Sequence, residues 1–253
     1  MSKIFELINL NMLNSIKEII AKDQSLLSER DSSGNTPFIY SVFHKKWAIA
    51  ECLLAQNSNN INSTNNQLET ALMYASRYGN LDLVQKLHNQ GADLNKSSLY
   101  LGPAIFYAFE NIKKDILRYL VISGADVNLK NKYGVSLLVK AVESNEIAMI
   151  SWLVENGAED IDNALKIAVI FSYFKAVEVL MLIGANINQI NNNGESLIIE
   201  AINNKAWDIV ELLFNKGAEV ISPKSVYGWE ILSSAAQAGK LELAKNIIKL
   251  TKN

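Results

Sequence analysis

The side chains that most often carry chemistry are few and widely spaced in this chain. It has two histidines, His44 and His88, and one cysteine, Cys52. Neither histidine has a Cys, Asp or Glu at metal-ligand spacing within a recognisable motif. Cys52 shares a mostly apolar repeat position, which favours packing over nucleophilic chemistry. The carboxylates are scattered, and no Gly-rich phosphate loop or nucleophile elbow is present. We therefore predict no enzyme, no catalytic residue, no metal site and no cofactor.

Composition narrows the class further. The formal net charge is -2 with both signs mixed along the chain, which is not the basic footprint of a nucleic-acid binder. No apolar run approaches the 18 or so residues of a membrane span, and the first residues do not resemble a signal peptide. A single cysteine permits no intrachain disulfide, as in a reducing compartment. We expect a cytoplasmic protein, and the sequence leaves secretion as a host-directed effector open.

The elements that must position these side chains are indicated by a short sequence motif that recurs along the chain. We call this motif the repeated phrase. Gly91-Ala92-Asp93-Leu94-Asn95 returns at 124–128 and, with substitutions, at 157–159, 184–188 and 217–220. A fixed period of about 33 residues indicates a solenoid of stacked helical pairs. Each repeat of such an array contacts only its neighbours, so residues 1–253 are predicted to form a single domain that presents a long surface.

Each repeat also opens with a version of one helix-start pattern. The fullest is Thr36-Pro37-Phe38, with Pro in the first turn, where its missing N–H costs nothing. A second version is Thr70-Ala71-Leu72-Met73-Tyr74-Ala75. These segments resemble the ankyrin repeat, in which Thr-Pro-Leu-His-x-Ala opens the first of two antiparallel helices. The resemblance covers nearly the whole chain. It implies an all-α ankyrin-repeat solenoid of stacked antiparallel helix pairs with short hairpin-like fingers.

The repeat register predicts eight repeats and their packing. The boundaries are 1–30 and 222–253 for the capping repeats, and 31–64, 65–97, 98–130, 131–157, 158–190 and 191–221 between them. Small residues at one position of the first helices should allow close approach: Ala75, Ala108, Ala141, Ala168, Ala201 and Ala235. Large apolar residues at one position of the second helices should face the core: Trp47, Leu81, Ile147, Phe174, Trp207 and Leu241.

Three departures from the pattern are informative. The signature His is absent from every repeat, which puts its polar network in doubt. The sixth repeat is short, since Gly157 to Gly184 spans 27 residues where neighbouring repeats span 33. Its finger should be missing, with Asp162 or Asn163 as a cap of the next helix. The finger at 58–67 is rich in Asn and lacks its Gly, which leaves its turn geometry open.

The resemblance also implies a binding surface. In ankyrin repeats the concave groove is lined by finger tips and by the last turn of each first helix. On this chain the helix-end positions are Phe43, His44, Arg77, Tyr78, Glu110, Asn111, Glu143, Ile170, Phe171 and Asn203. The finger positions are Tyr100, Tyr133 and Tyr227, and Trp229 follows a turn glycine. Trp229 suits either a binding hot spot or a cover for the last repeat.

A further row of tyrosines allows two interpretations. Tyr40, Tyr74 and Tyr107 occupy one position on three consecutive first helices. They form either an aromatic ladder on a binding face or a half-buried seam between repeats.

The function implied by the resemblance is recognition of another protein or peptide by a monomeric scaffold, with no nucleic acid and no membrane as partner. Two alternatives stay open. The chain could be a regulatory or anchoring subunit of an enzyme, or a self-assembling structural array.

Overall fold

The computed structural model describes residues 2–56, 60–221 and 227–250, and within these it describes only the backbone of 227–231 and 250. The described residues contain sixteen α-helices and one short 3₁₀ helix. The chain divides into two compact parts, residues 1–135 and residues 136–253. We call them the N-terminal half and the C-terminal half and describe each by itself.

The N-terminal half is a stack of four helix pairs. First helices contact first helices of the next pair, and each contacts its own second helix. Loops of a few residues join the two helices of a pair, as expected for antiparallel neighbours. The helices are α1 (Lys3–Asn9), α2 (Leu13–Lys22), α3 (Pro37–Phe43), α4 (Trp47–Gln56), α5 (Ala71–Tyr78), α6 (Leu81–Asn89), α7 (Ala104–Glu110) and α8 (Lys114–Ile122), with the 3₁₀ helix at Gln24–Ser28.

The C-terminal half repeats this plan. Each first helix packs on its own second helix, and α11 packs on both α9 and α13. The helices are α9 (Leu137–Glu143), α10 (Ile147–Glu155), α11 (Ile161–Ile170), α12 (Phe174–Leu182), α13 (Leu197–Asn203), α14 (Trp207–Asn215), α15 (Tyr227–Gln237) and α16 (Leu241–Leu250). The predicted all-α arrangement of helix pairs is confirmed. The eight repeat boundaries read from the sequence stay a prediction.

Hydroxyl caps begin several first helices, as the sequence pattern predicts. The Thr36 hydroxyl accepts the backbone N–H of Ile39 at 3.2 Å, and Ser136 accepts that of Val139 at 3.3 Å. At Thr70 the cap is reciprocal. Met73 holds the place of the signature His, and its sulfur accepts the Thr70 N–H at 3.3 Å. A thioether is a weak acceptor, yet here it keeps the cap closed on both sides without the imidazole.

The repeated phrase forms a joint between consecutive repeats. The Asp93 carboxylate accepts the N–H of Asn95 at 2.9 Å, which fixes the local turn. The Asn95 side-chain oxygen then accepts the N–H of Asp126 in the next repeat, also at 2.9 Å. Ala92 is buried beneath this turn. A side-chain acceptor for the next repeat is therefore one role of the Asn that ends this copy of the phrase.

The same joint appears elsewhere in the chain. Asn62 accepts the Asp93 N–H at 2.8 Å, and Asn188 accepts the Glu219 N–H at 2.9 Å. Between the fifth and sixth repeats the connection is short, since α10 ends at Glu155 and α11 begins at Ile161.

The prediction that Asp162 or Asn163 caps α11 is wrong. The residue at the cap position is Asp160, which makes no side-chain cap bond. Asp162 lies within the first turn and accepts the Asn186 N–H at 2.7 Å, so it takes the place of the joint asparagine.

The alanines predicted at one position of the first helices are more deeply buried than the large apolar residues predicted at one position of the second helices. All six predicted alanines have no exposed surface. Of the large row, Trp207 is buried, most others are half-buried, and Leu241 is exposed. The row lies at the first residue of each second helix, and helical side chains lean toward the N-terminus. These side chains therefore cover the loop before the helix, and the core is filled by residues such as Leu53, Leu87, Leu120, Leu153, Leu180 and Leu213.

Candidate functional site

The described fingers are tight turns, each closed by one side chain. In the finger after α8, the Asn131 side-chain oxygen accepts the N–H groups of Tyr133 at 2.9 Å and Val135 at 3.1 Å. The side chain of Tyr133 stands out from this turn and is 74% exposed. In the Asn-rich finger, Leu68 takes the place of Gly134 with a left-handed φ of +58°. The missing glycine is thus replaced by a strained leucine in the same turn.

A cleft of about 490 Å³ in the N-terminal half is lined by both fingers and helix ends. Four of the sequence-predicted residues line it together: Arg77, Tyr100, Glu110 and Asn111. Its other lining residues are Gln67, Glu69, Ser98, Leu101 and Tyr107. The cleft therefore brings together helix-end residues and a finger residue, the two groups that the sequence analysis assigned to one surface.

The floor of this cleft is a fixed polar group. The Glu69 carboxylate accepts hydrogen bonds from the Tyr107 hydroxyl at 2.9 Å, from the Asn65 amide at 3.0 Å and from the Tyr74 hydroxyl. Burial is the main cause that raises the pKa of both tyrosines well above its usual value, and the negative charge of Glu69 adds to it. Both hydroxyls consequently remain donors to the carboxylate.

These contacts decide between the two interpretations of the tyrosine row. Tyr40, Tyr74 and Tyr107 are all buried. The Tyr40 hydroxyl donates to the Asn9 side chain at 2.9 Å, and the other two donate to Glu69. The row is a polar seam between repeats and not an exposed ladder.

An aromatic group lies at the ends of α3 and α5. Phe43 and His44 are exposed, with ring centroids 5.0 Å apart, and Phe43 packs edge-on against Tyr74 at 5.1 Å. Tyr78 is half-buried, and the Lys45 ammonium lies 4.5 Å from its ring centroid. Burial, with a smaller effect of Lys46, lowers the pKa of His44, which favours its neutral ring at pH 7.

A second exposed aromatic group lies on the fingers. Tyr100 is 51% exposed, and the Lys132 ammonium lies 4.3 Å from its ring centroid. The same ammonium is 6.0 Å from the Tyr133 ring. Lys132 therefore stands between the two finger tyrosines that the sequence singled out.

In the C-terminal half, the predicted residues whose side chains are described lie at the ends of α9, α11 and α13. Glu143 forms an ion pair with Lys140 at 3.1 Å. Ile170 and Phe171 are exposed at the end of α11, where Phe171 stacks on Tyr173 with centroids 5.5 Å apart. Asn203 is exposed at the end of α13.

Two predicted residues fall where the structure describes the backbone alone. Tyr227 was expected on a finger, but it is the first residue of α15, because that helix begins at this position. Trp229 lies in the same helix. The side chains of both lie outside the described residues.

Sequence reasoning missed Glu69, Lys45 and Lys132. Glu69 directly precedes the capping Thr70, at a position held by Asn35 in the repeat before. A charged residue at this position, the base of a finger, could have been recognised from the sequence. Lys45 and Lys132 could not have been recognised in this way, because a lysine on a turn is most often a solvated charge. The aromatic ring next to each ammonium group is seen only in the structure.

Chemistry of other kinds has little to build on in the described part of the chain. There, no group of three or more His, Cys, Asp or Glu side chains is close enough to hold a metal ion. Within the same residues, none of the helices has both the length and the apolar character to cross a membrane.

Comparison with known proteins agrees with the geometry. The family model for ankyrin repeats, in three copies, matches residues 5–98, 105–191 and 165–253. A segment of 59 residues is 37% identical to the human transient receptor potential cation channel subfamily A member 1. That segment is 23% of this chain and 5% of the channel, so the chain is similar to a small part of that protein.

Proposed function

This chain belongs to the ankyrin repeat family, and from that premise we propose that it binds another protein or a peptide through its finger tips and first-helix ends. Ankyrin repeats are in general protein-interaction modules. The observation that carries the proposal is the cleft of about 490 Å³ whose lining comes from both groups. Exposed aromatic residues, which are enriched at protein interfaces, flank it.

Rigidity supports the proposal. The Asn131 turn, the Glu69 floor and the short helices hold the lining side chains before a partner arrives. Little conformational entropy is then lost on binding, so more of the contact energy appears as affinity. Exposed tyrosines such as Tyr100 and Tyr133 suit this role, because their rings offer large contact areas with few rotatable bonds.

We propose a binding role in preference to catalysis. Ankyrin repeats are typically non-catalytic interaction domains. His44 packs its ring against Tyr40 and Phe43, which suits recognition better than proton transfer. In this proposal the chain acts as a monomer, which its mass in solution will test.

Affinity capture from the source cell tests the surface directly. We expect the full chain to retain a set of proteins that Tyr100→Ala/Tyr133→Ala loses, because these side chains supply exposed contact area beside the cleft. The matched control is Ile122→Ala, which removes a side chain of similar exposure, 81%, from the end of a second helix. Equal capture by all three proteins would contradict the proposed surface.

A further inference from the structure

Charge is unevenly divided along the chain. The whole protein carries a formal charge of -2, but residues 1–135 hold fourteen of its 24 Lys and Arg and only twelve of its 26 Asp and Glu. The N-terminal half is therefore at +2 and the remainder at -4. A partner attracted to the cleft of the N-terminal half meets a net positive part of the molecule.

Three exposed cations at the helix ends and fingers of this half differ from a paired lysine on a second helix. On the second helices, Lys86 pairs with Glu51 at 2.7 Å and with Asp82 at 2.6 Å. Among the described residues, Lys45, Arg77 and Lys132 form no ion pair, and all three are exposed. Lys86 is thus paired within the protein, whereas among the described residues Lys45, Arg77 and Lys132 have no carboxylate at ion-pair distance.

Two of these cations are held in place by rings. The ammonium groups of Lys45 and Lys132 lie 4.5 Å and 4.3 Å from the ring centroids of Tyr78 and Tyr100. A cation–π contact orients an ammonium group without cancelling its charge. The lysines are therefore ordered cations, and they cost less entropy to engage than freely moving ones.

The carboxylate at the cleft floor does not act as a strong site for a basic partner. Glu69 already accepts three hydrogen bonds, from Asn65, Tyr74 and Tyr107. A carboxylate offers about four acceptor positions, so little capacity remains for an incoming ammonium or guanidinium group. Arg77, by contrast, presents its guanidinium at the exposed edge of the same cleft.

We propose that the segment recognised by the N-terminal half is acidic. Its Asp or Glu side chains pair with Arg77, Lys132 and Lys45, and an apolar or aromatic side chain between them packs on Phe43 and Tyr78. The planar guanidinium of Arg77 suits a carboxylate in two parallel hydrogen bonds. This inference rests on the proposed binding function and adds the chemistry of the partner.

Selection from a library of random 12-residue peptides displayed on phage tests it with the full chain as bait. We expect the enriched peptides to be net negative, with an aromatic or apolar residue near the acidic ones. The strongest peptide is then synthesised and titrated by calorimetry. Charge reversal in Arg77→Glu/Lys132→Glu should weaken its affinity by about tenfold or more, because like charges then face each other.

A matched variant separates a specific site from general attraction. Lys17→Glu/Lys22→Glu makes the same change in net charge on α2, whose lysines are also exposed, and should change the affinity by about twofold or less. Neutralisation in Arg77→Gln/Lys132→Gln should give an intermediate loss. Circular dichroism checks that each variant keeps its helices.

The outcomes are distinct. Enriched peptides that are neutral or basic would overturn the acidic partner and leave the binding function standing. Acidic peptides whose affinity falls equally in the α2 variant would also overturn it, since the attraction would then be non-specific. Failure to enrich any peptide would contradict the proposed function itself.

Discussion

At the scale of single residues, the turn between the two helices of a repeat is a point of backbone strain. It requires a left-handed residue, which Gly79 supplies with a φ of +82°. The equivalent residues Lys45, Ile112 and Ser172 adopt φ values of +56°, +55° and +57° with a Cβ atom present. For a β-branched residue this conformation is rare and costs about 1–2 kcal/mol. Ile112 holds this conformation although its side chain is 73% exposed.

We predict that Ile112→Gly raises the stability of the protein by up to about 1 kcal/mol, since the relief of left-handed strain exceeds the entropy cost of glycine. Urea unfolding gives the measurement. The control is Ile122→Gly, which changes the same residue type at similar exposure, 73% and 81%, but at the end of helix α8. That control should lower stability by about 1 kcal/mol. A lower midpoint for both variants would contradict the strain argument.

Part of the candidate site could be predicted from the sequence. Tyr100 and Tyr133 were placed on fingers from the repeat register, and the structure has them exposed there. Ile112 was not foreseen in a left-handed turn, because its residue type argues against that conformation. The turn is held by backbone hydrogen bonds to the end of α7, from the Ile112 N–H to Phe109 at 2.9 Å and from the Lys113 N–H to Ala108 at 2.8 Å, and side-chain propensity carries no information about them.

At the scale of elements, the joint is the main addition to what the period predicts. Hydrophobic spacing and the Thr-Pro signature predicted the helix pairs and the missing finger. They did not predict the joint, because donor and acceptor are separated by 31 residues in Asn95 and Asp126. In the Asn-rich finger, the amides of Asn62, Asn65 and Asn66 each donate a hydrogen bond, a role that the sequence did not indicate. Asp162 shows that the joint does not require an asparagine, because a carboxylate oxygen accepts the equivalent backbone N–H of the next repeat.

We predict that Asp162→Ala lowers the free energy of unfolding by about 1 kcal/mol, because the Asn186 N–H loses its acceptor. Asp162→Asn should cost clearly less, since an amide oxygen accepts the same bond. The difference between the two variants in urea midpoint is the measurement. If asparagine were as costly as alanine, the effect would lie in the negative charge near the helix start and not in the joint.

At the scale of the whole molecule, each half is built around its own core. In residues 1–135 the four helix pairs bury side chains such as Phe5, Phe106 and Leu87 completely. In residues 136–253 the equivalent layer includes Leu153 and Leu180. The sequence period predicted stacking throughout. The division of charge between the halves is visible in the composition, but its meaning came only from seeing which cations lack a carboxylate.

We predict that residues 1–135 expressed alone form a folded helical protein, because repeat arrays are stabilised by contacts between neighbours and this half contains four consecutive pairs. Far-ultraviolet circular dichroism and a cooperative thermal transition would show it. The fragment 1–70, which keeps only two pairs, is the control and should be largely unfolded. A disordered spectrum for 1–135 would mean that this core is not sufficient by itself.

The shortened sixth repeat has an evolutionary consequence. The joint there persists although the finger is gone, since Asp162 supplies its oxygen from within α11. Fingers can therefore be gained or lost by small in-frame insertions and deletions without unlinking the array. The finger residues and the stacked helix pairs that carry them are free to diversify at different rates. Descendants of one gene can therefore change partners while keeping the same backbone.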